Sequence, residues 1–337
     1  MLILSNALTN VVDEGCVKVA NSLVKRIKKT DEATFVVAFE RQSDIADEYM
    51  TVNKLLLNRK LISKIRKNKG KVMYIPFPAK PLSTALRILI LSFFAGKDLK
   101  VMLCMTTTTD TISKFVLKMS RAKLMVFSKS AFDFYSKIVG EKRVKYIKAG
   151  VDTEKFMPVS KERAKELKEK YGFDANKKLV LHVGHLNEGR NISELMKISS
   201  RHQVLLVSSS LTKYEQDIEL KKRLISCGIK IIDTYIADIE QVYQMADVYF
   251  FPVVEEGRCI DVPLSCMEAA ACNKPIVTTD FGEMKEFAGR KGFYFIDIFD
   301  ENEINSKIDN ALGEDYPDTR SAVLDYDWEN AITYLKD

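Results

Sequence analysis

No Cys-x-x-Cys pair occurs among the six cysteines, Cys16, Cys104, Cys227, Cys259, Cys266 and Cys272, and their spacing forms no secretory disulfide framework. They read as small buried thiols of a reducing compartment, so a cytoplasmic protein is expected. The opening MLILS lacks a basic leader and a small-residue cleavage site and is read as a strand, not a signal peptide. The longest apolar run, 88–95, falls far short of the ~20 residues a membrane-spanning helix needs. Neither G-x-G-x-x-G after a strand nor G-x-x-x-x-G-K-[ST] anywhere is found, which argues against dinucleotide oxidoreductases and P-loop NTPases. No tight acidic cluster suggests a metal, and no evident carboxylate pair suggests a glycoside hydrolase. Histidine is scarce as well: only His182, His185 and His202, all in the second half, with His182 and His202 read as structural.

What is present suits a globular protein of two domains: 337 residues, 46% apolar and 29% charged. The net charge of +6 hides an asymmetry. Residues 1–155 hold 29 Lys+Arg against 14 Asp+Glu, a net of +15, while the remainder holds 23 against 32, a net of −9. Domains over 1–155 and 156–320 follow, the first meeting an anionic surface or substrate. Its densest basic stretch, 59–71, puts Leu61, Ile62 and Ile65 on one helical face with Lys60, Lys64, Arg66 and Lys67 at the flanks. That arrangement suits lipid headgroups or an acceptor phosphate, or simply a solvated helix face.

Short apolar segments at 2–5, 34–39, 72–75, 100–104, 124–127 and 144–147 read as strands, and 17–29, 82–95 and 110–119 as helices between them. The alternation predicts a parallel sheet covered on both faces, with ligands beyond the strands' carboxyl ends. Gly15, in the region after strand one, allows a backbone approach to a ligand or merely a turn. After strand four, Thr106, Thr107 and Asp110 offer hydroxyls and a carboxylate to a cleft, while Thr109 or Asp110 equally suits a helix cap. A second series follows the linker-like AGVDTEKFMP: strands at 178–183, 204–208, 229–232, 248–252, 275–278 and 293–296, with helices at 160–171, 194–201, 212–227 and 239–246.

In this second unit, Gly184 permits close backbone approach, and His185 and Arg190 offer donors that suit a diphosphate. Asn191 and Glu194 have capping-box spacing. The stretch 250–281 reads as strand, polar loop, and a helix with Pro263 at its first position, whose N-terminus favours anions. Leu264 and Ser265 lie in its first turn. Glu268 follows, and Ser265-x-x-Glu268 is also a possible capping box. Asp261 serves either a ligand or the same helix as a cap.

The ordered run AGVDTEKFMP, VGHLNEGRN, ADVYFFP and DVPLSCMEAAACNKPIVTTDFGEMKE, across most of 146–286, resembles the retaining GT-B glycosyltransferases of family 4, the glycosyl transferases group 1. The final DWENAITYL resembles their closing helix. The resemblance implies two Rossmann-like doubly wound α/β domains facing a central cleft. It also implies that a C-terminal helix, about 321–337, crosses back to an acceptor-binding first domain. It implies transfer from a nucleotide diphosphate sugar such as a UDP-, GDP- or ADP-sugar to a saccharide or lipid-linked acceptor. Neither a metal nor another cofactor nor a nucleic-acid partner is expected, and peripheral contact with an anionic membrane is.

By that resemblance Arg190 binds donor phosphate where relatives carry Lys, and His185 replaces an Arg. Glu268 is the second glutamate of a Glu-(seven residues)-Glu motif, expected to hold ribose. The first is replaced by Ile260, leaving Asp261, Glu255 or Glu256 as substitutes, and the first-domain His common in relatives gives way to 106–109. Arg190, Glu268 and Asp261 are the candidate catalytic set. Ser208 and Tyr235 are expected near the base. The alternatives are a catalytically silent GT-B binding or scaffold protein and, ranked last, a GT-B epimerase.

Overall fold

In the computed structural model, residues 1–39, 41–77, 81–105, 110–210, 216–314 and 316–336 are described. The chain forms two units, Met1–Ala149 with Trp328–Asp337, and Gly150–Asp327. The divisions therefore fall after Ala149 and after Asp327, where 155 and about 321 were expected.

Unit 1 runs β1 (Leu2–Ser5), α1 (Gly15–Thr30), β2 (Phe35–Ala38), β3 (Glu48–Tyr49), α2 (Arg59–Lys67), β4 (Val72–Ile75), α3 (Pro81–Ala95), β5 (Lys100–Leu103), α4 (Thr111–Met119), β6 (Lys123–Val126), α5 (Lys129–Val139) and β7 (Val144–Tyr146). Its strands form one parallel sheet in the order β3-β2-β1-β4-β5-β6-β7. At its centre Ile3 lies beside Val36 and Met73. Every residue of β1 and β4 is buried, because helices cover both faces of such a sheet and leave no solvent side.

Unit 2 runs α6 (Lys161–Lys170), β8 (Leu179–Val183), β9 (Gln203–Val207), α7 (Ile218–Ser226), β10 (Lys230–Ile232), α8 (Ile239–Met245), β11 (Val248–Phe251), α9 (Leu264–Ala271), β12 (Ile276–Thr278), β13 (Phe293–Phe295), α10 (Glu301–Leu312) and α11 (Thr319–Val323). Its parallel sheet has the order β10-β9-β8-β11-β12-β13. The chain then returns to unit 1 as α12 (Trp328–Lys336). Within unit 2 the outgoing and returning segments are stapled together. Asp327 Oδ2 accepts from Thr153 N (2.8 Å) and Thr153 Oγ1 (2.6 Å). Arg320 donates to the carbonyls of Phe156 (2.8 Å) and Thr153 (3.0 Å).

The helix expected over 194–201 is instead a 3-10 segment, Ile192–Lys197. Asn191 enters it with φ 56°, in the left-handed region, and makes no cap bond. An N-cap needs extended backbone to aim its side chain at the first turn, so the capping box with Glu194 does not form. Of the helix expected over 212–227, α7 covers 218–226, and 211–215 lie outside the described residues.

Candidate functional site

In unit 2, strand order reverses between β8 and β11, so the connections leaving these neighbours diverge and open a crevice at their carboxyl ends. Gly184 follows β8 and donates from its N–H to Val207 O (2.9 Å). Asn191 Nδ2 donates to Pro252 O (3.3 Å), tying the loop after β8 to the one after β11. The same strand arithmetic puts Ser208 and Tyr235 beyond β9 and β10, and residues 279–283 beyond β12.

Arg190 occupies this switch point and is 9% exposed. Its Nη1 lies 3.6 Å from Cys259 Sγ, its buried Nε has no partner, and no carboxylate pairs with it among the described residues. Burying part of a guanidinium without a counter-charge is costly, so the arrangement is suited to taking an anion. His182 lies beside it, fully buried, with Nδ1 donating to Phe250 O (2.9 Å). Burial, reinforced by the Arg190 charge, lowers the His182 pKa to about 4, leaving a neutral ring whose Nε2 has no partner among the described residues. A Cβ on Gly184 would meet that Nε2 at 2.7 Å and Arg190 Nη1 at 3.4 Å. Gly184 is thus needed for the fit of His182 and Arg190 themselves.

Arg258 is the residue that sequence reasoning missed. Its guanidinium lies over Gly189, next to Arg190, where a Cβ on that glycine would meet Arg258 Nε at 2.6 Å. Glu255 holds it in a two-point contact, 2.8 and 3.1 Å, on an exposed loop. This bond lowers the Glu255 carboxyl below the ordinary carboxylate value. As one charged residue in a polar loop, Arg258 carries no periodic or motif signal.

Pro263 stands at the N-cap of α9, one position earlier than expected, and makes no side-chain cap bond. Asp261 is therefore not its cap. The Asp261 carbonyl accepts from Glu283 N (2.9 Å), which fixes the loop against the turn after β12. Ile260, where a glutamate is expected, is buried at 7% exposure, and Glu255 and Glu256 are exposed. Leu264 is buried and Ser265 half-buried in the first turn. Ser265 lies inside the helix, so no Ser265–Glu268 capping box exists. Glu268 is 4% exposed and accepts from Tyr243 Oη on α8 at 2.6 Å. Burial and the neighbouring Glu268 push the Tyr243 phenol well above its usual pKa, so it stays a donor.

His185 is half-buried, and its carbonyl accepts from Asn187 N (3.1 Å). Ser208 is buried and accepts from Gln216 Nε2 (3.3 Å), whereas Tyr235 is exposed. His202 Nε2 lies 3.5 Å from Asp309 on α10. In unit 1, Gly15 is the first residue of α1, capped by Glu14, whose carboxylate accepts from Cys16 N at 3.0 Å. Asp110 caps α4, accepting from Ser113 N at 2.7 Å, and its bonds to Ser113 lower its carboxyl pKa. Thr106 and Thr107 lie outside the described residues. Among the described residues no cluster of His, Cys, Asp or Glu could hold a metal ion, and no helix is long and apolar enough to cross a membrane.

Residues 177–314 match the family described as Glycosyl transferases group 1. The EpsD protein of Bacillus subtilis (strain 168), named as a glycosyltransferase, is 27% identical over 154 residues, 43% of this chain and 39% of that relative. The match thus spans about two fifths of the relative's length. The solved glycosyltransferase of Rickettsia africae ESF-5 superposes with a TM-score of 0.74 over 99% of this chain and 96% of that one, at 15% identity. Anabaena HepE, solved with UDP and glucose, gives 0.69 over 97% and 93%, also at 15% identity. The fold of two Rossmann-like units is that of GT-B glycosyltransferases, and the resemblance to the group 1 enzymes stands.

Proposed function

We propose that the protein is a glycosyltransferase that takes a sugar from a nucleotide diphosphate sugar, with retention at the anomeric carbon, and passes it to a saccharide or lipid-linked acceptor. The observation that carries this reading is the largely buried Arg190, with no carboxylate partner among the described residues, set at the strand-order switch. A leaving diphosphate is the anion such a site suits. Glycosyl transfer builds negative charge on that group as the anomeric carbon turns cationic, and donors already aimed at the diphosphate favour the transition state over the ground state. Arg190 and the uncapped first turn of α9 supply that charge, with Gly184 admitting the backbone close by. Arg258 supplies the second cation that His185 does not, by exchanging Glu255 for phosphate oxygens. Glu268, oriented by Tyr243, accepts from the ribose hydroxyls. Ser208 and Tyr235 border the base, Asp261 lies nearest the sugar, and the basic unit 1 holds the acceptor.

Incubation with a panel of UDP-, GDP- and ADP-sugars tests this directly. The expected result is saturable binding of one donor and release of its nucleoside diphosphate in the presence of an acceptor. Neither binding nor turnover with any donor would overturn it. A second reading, a donor-binding protein without transferase activity, is favoured by the buried Ile260 where the resemblance expects a carboxylate. Donor binding without any glycosylated product would select it.

A further inference from the structure

We propose that the α2–α5 layer of unit 1 is a docking face for an anionic lipid bilayer. These four helices lie side by side, α2 against α3, α3 against α4 and α4 against α5. Together they carry ten Lys and Arg residues and a single acidic one, Asp133. The layer is not simply a solvated basic surface, because it also presents large apolar side chains to solvent.

On α4, Leu117 is buried toward the sheet, as a surface helix requires. The outward side then carries a second apolar stripe: Ile112, Phe115 and Met119 at i, i+3 and i+7, 64%, 63% and 57% exposed. Lys114 and Lys118 lie between them in sequence. On the neighbouring α3, Phe93 is 81% exposed, with its ring edge-to-face against Phe94 at 5.3 Å. Folding gains nothing from leaving these side chains in water, and their grouping on one helical layer marks an interaction surface.

Charge decides the partner. Arg59, Arg66 and Lys67 make no ion pair among the described residues, and with Ile62, Ser63 and Phe94 they line a groove of about 560 Å³. Arg66 stacks over the Phe94 ring at 5.4 Å. A cationic rim above an aromatic floor matches a headgroup phosphate above the start of its acyl chains. Each basic side chain near an anionic leaflet adds electrostatic attraction, and aromatic side chains enter the headgroup boundary. A protein partner would need an equally extended acidic and apolar face.

This proposal rests on the helix layer alone and not on the transfer reading, so it is tested without donor or acceptor. The full chain is sedimented with vesicles of phosphatidylcholine, or of phosphatidylcholine with phosphatidylglycerol, across a salt series. The expected result is binding to the anionic vesicles only, weakened as salt screens the surface. Joint replacement Phe93→Ser with Phe115→Ser should reduce partitioning at least about tenfold, since each exposed ring loses its apolar transfer. The far-UV spectrum and melting temperature should stay unchanged. Arg66→Glu with Lys67→Glu should abolish the preference for the anionic lipid. Absence of vesicle binding, equal binding to both compositions, or unchanged binding of both variants would overturn the proposal. So would a concentration-dependent dimer removed by the Phe93 and Phe115 substitutions.

Discussion

In the proposed donor site Arg190 would cost the fold and serve the ligand, and the two roles separate on substitution. Arg190→Met should lower kcat/KM by roughly 10²-fold or more, since a donor aimed at developing charge is removed. The same change should leave stability unchanged or slightly higher, because an uncompensated buried guanidinium is replaced by an apolar chain of similar length. Steady-state kinetics beside denaturant titration reads both, and parallel loss of activity and stability would make Arg190 a structural residue. His182 gives a pH prediction. Its folded pKa of about 4 lies below the unfolded value near 6.5, so between these limits the unfolded chain holds the extra proton. Stability should fall as pH drops through that window, by up to about 3 kcal/mol, and His182 should contribute nothing above it. Denaturation midpoints at several pH values, compared with His182→Gln, isolate this slope, and identical slopes would contradict it. Arg190 was singled out in the sequence because it follows a strand end and falls where the resemblance expects a Lys, and the structure places it at the strand-order switch. Arg258 was not, since its placement depends on how the loop after β11 folds back over Gly189.

At the scale of elements, the strands were legible because parallel strands covered on both faces need uninterrupted apolar runs, as in LILS, VMYI and VYFF. The strand that escaped, β3, is two residues long and contains Glu48, so it has no such run. The conversion of 192–197 to a 3-10 segment was equally hidden, because it follows from the left-handed Asn191 and its bond to Pro252, a contact between distant segments. The turn after β12 shows how one element holds another. Gly282 has φ 55°, and a Cβ there would fall 2.2 Å from the Asp261 carbonyl, whose loop leads into α9. Gly282→Ala should cost at least about 1–2 kcal/mol for the left-handed backbone alone. The clash should also displace residues 260–263 and raise the donor KM. A variant with wild-type stability and KM would show that the turn does not brace the α9 N-terminus.

For the whole molecule, the informative segment is the last, because α12 belongs to unit 1 although it follows unit 2 in the chain. Trp328, Ala331, Ile332 and Leu335 are buried, a 3.6-residue stripe that α12 directs into unit 1. It packs on α1. Trp328 meets Phe127 edge-to-face at 6.0 Å, and Glu329 pairs with Arg26 at 2.8 Å. The ion pair is half exposed on the Glu329 side and contributes little, so the apolar stripe dominates. Trp328→Ala should then cost about 3–5 kcal/mol, the range for emptying a large buried aromatic site. That loss should be local to unit 1, although the mutated residue directly follows Asp327, which closes the ends of unit 2 on each other through Thr153. Hydrogen exchange read by mass spectrometry separates the two outcomes. Peptides from α1 and from the Phe127 region should lose protection, while those from β8, β11 and β12 keep theirs. Equal loss in both units would mean that α12 stabilises the molecule as one cooperative body, and the assignment of this helix to unit 1 alone would fail.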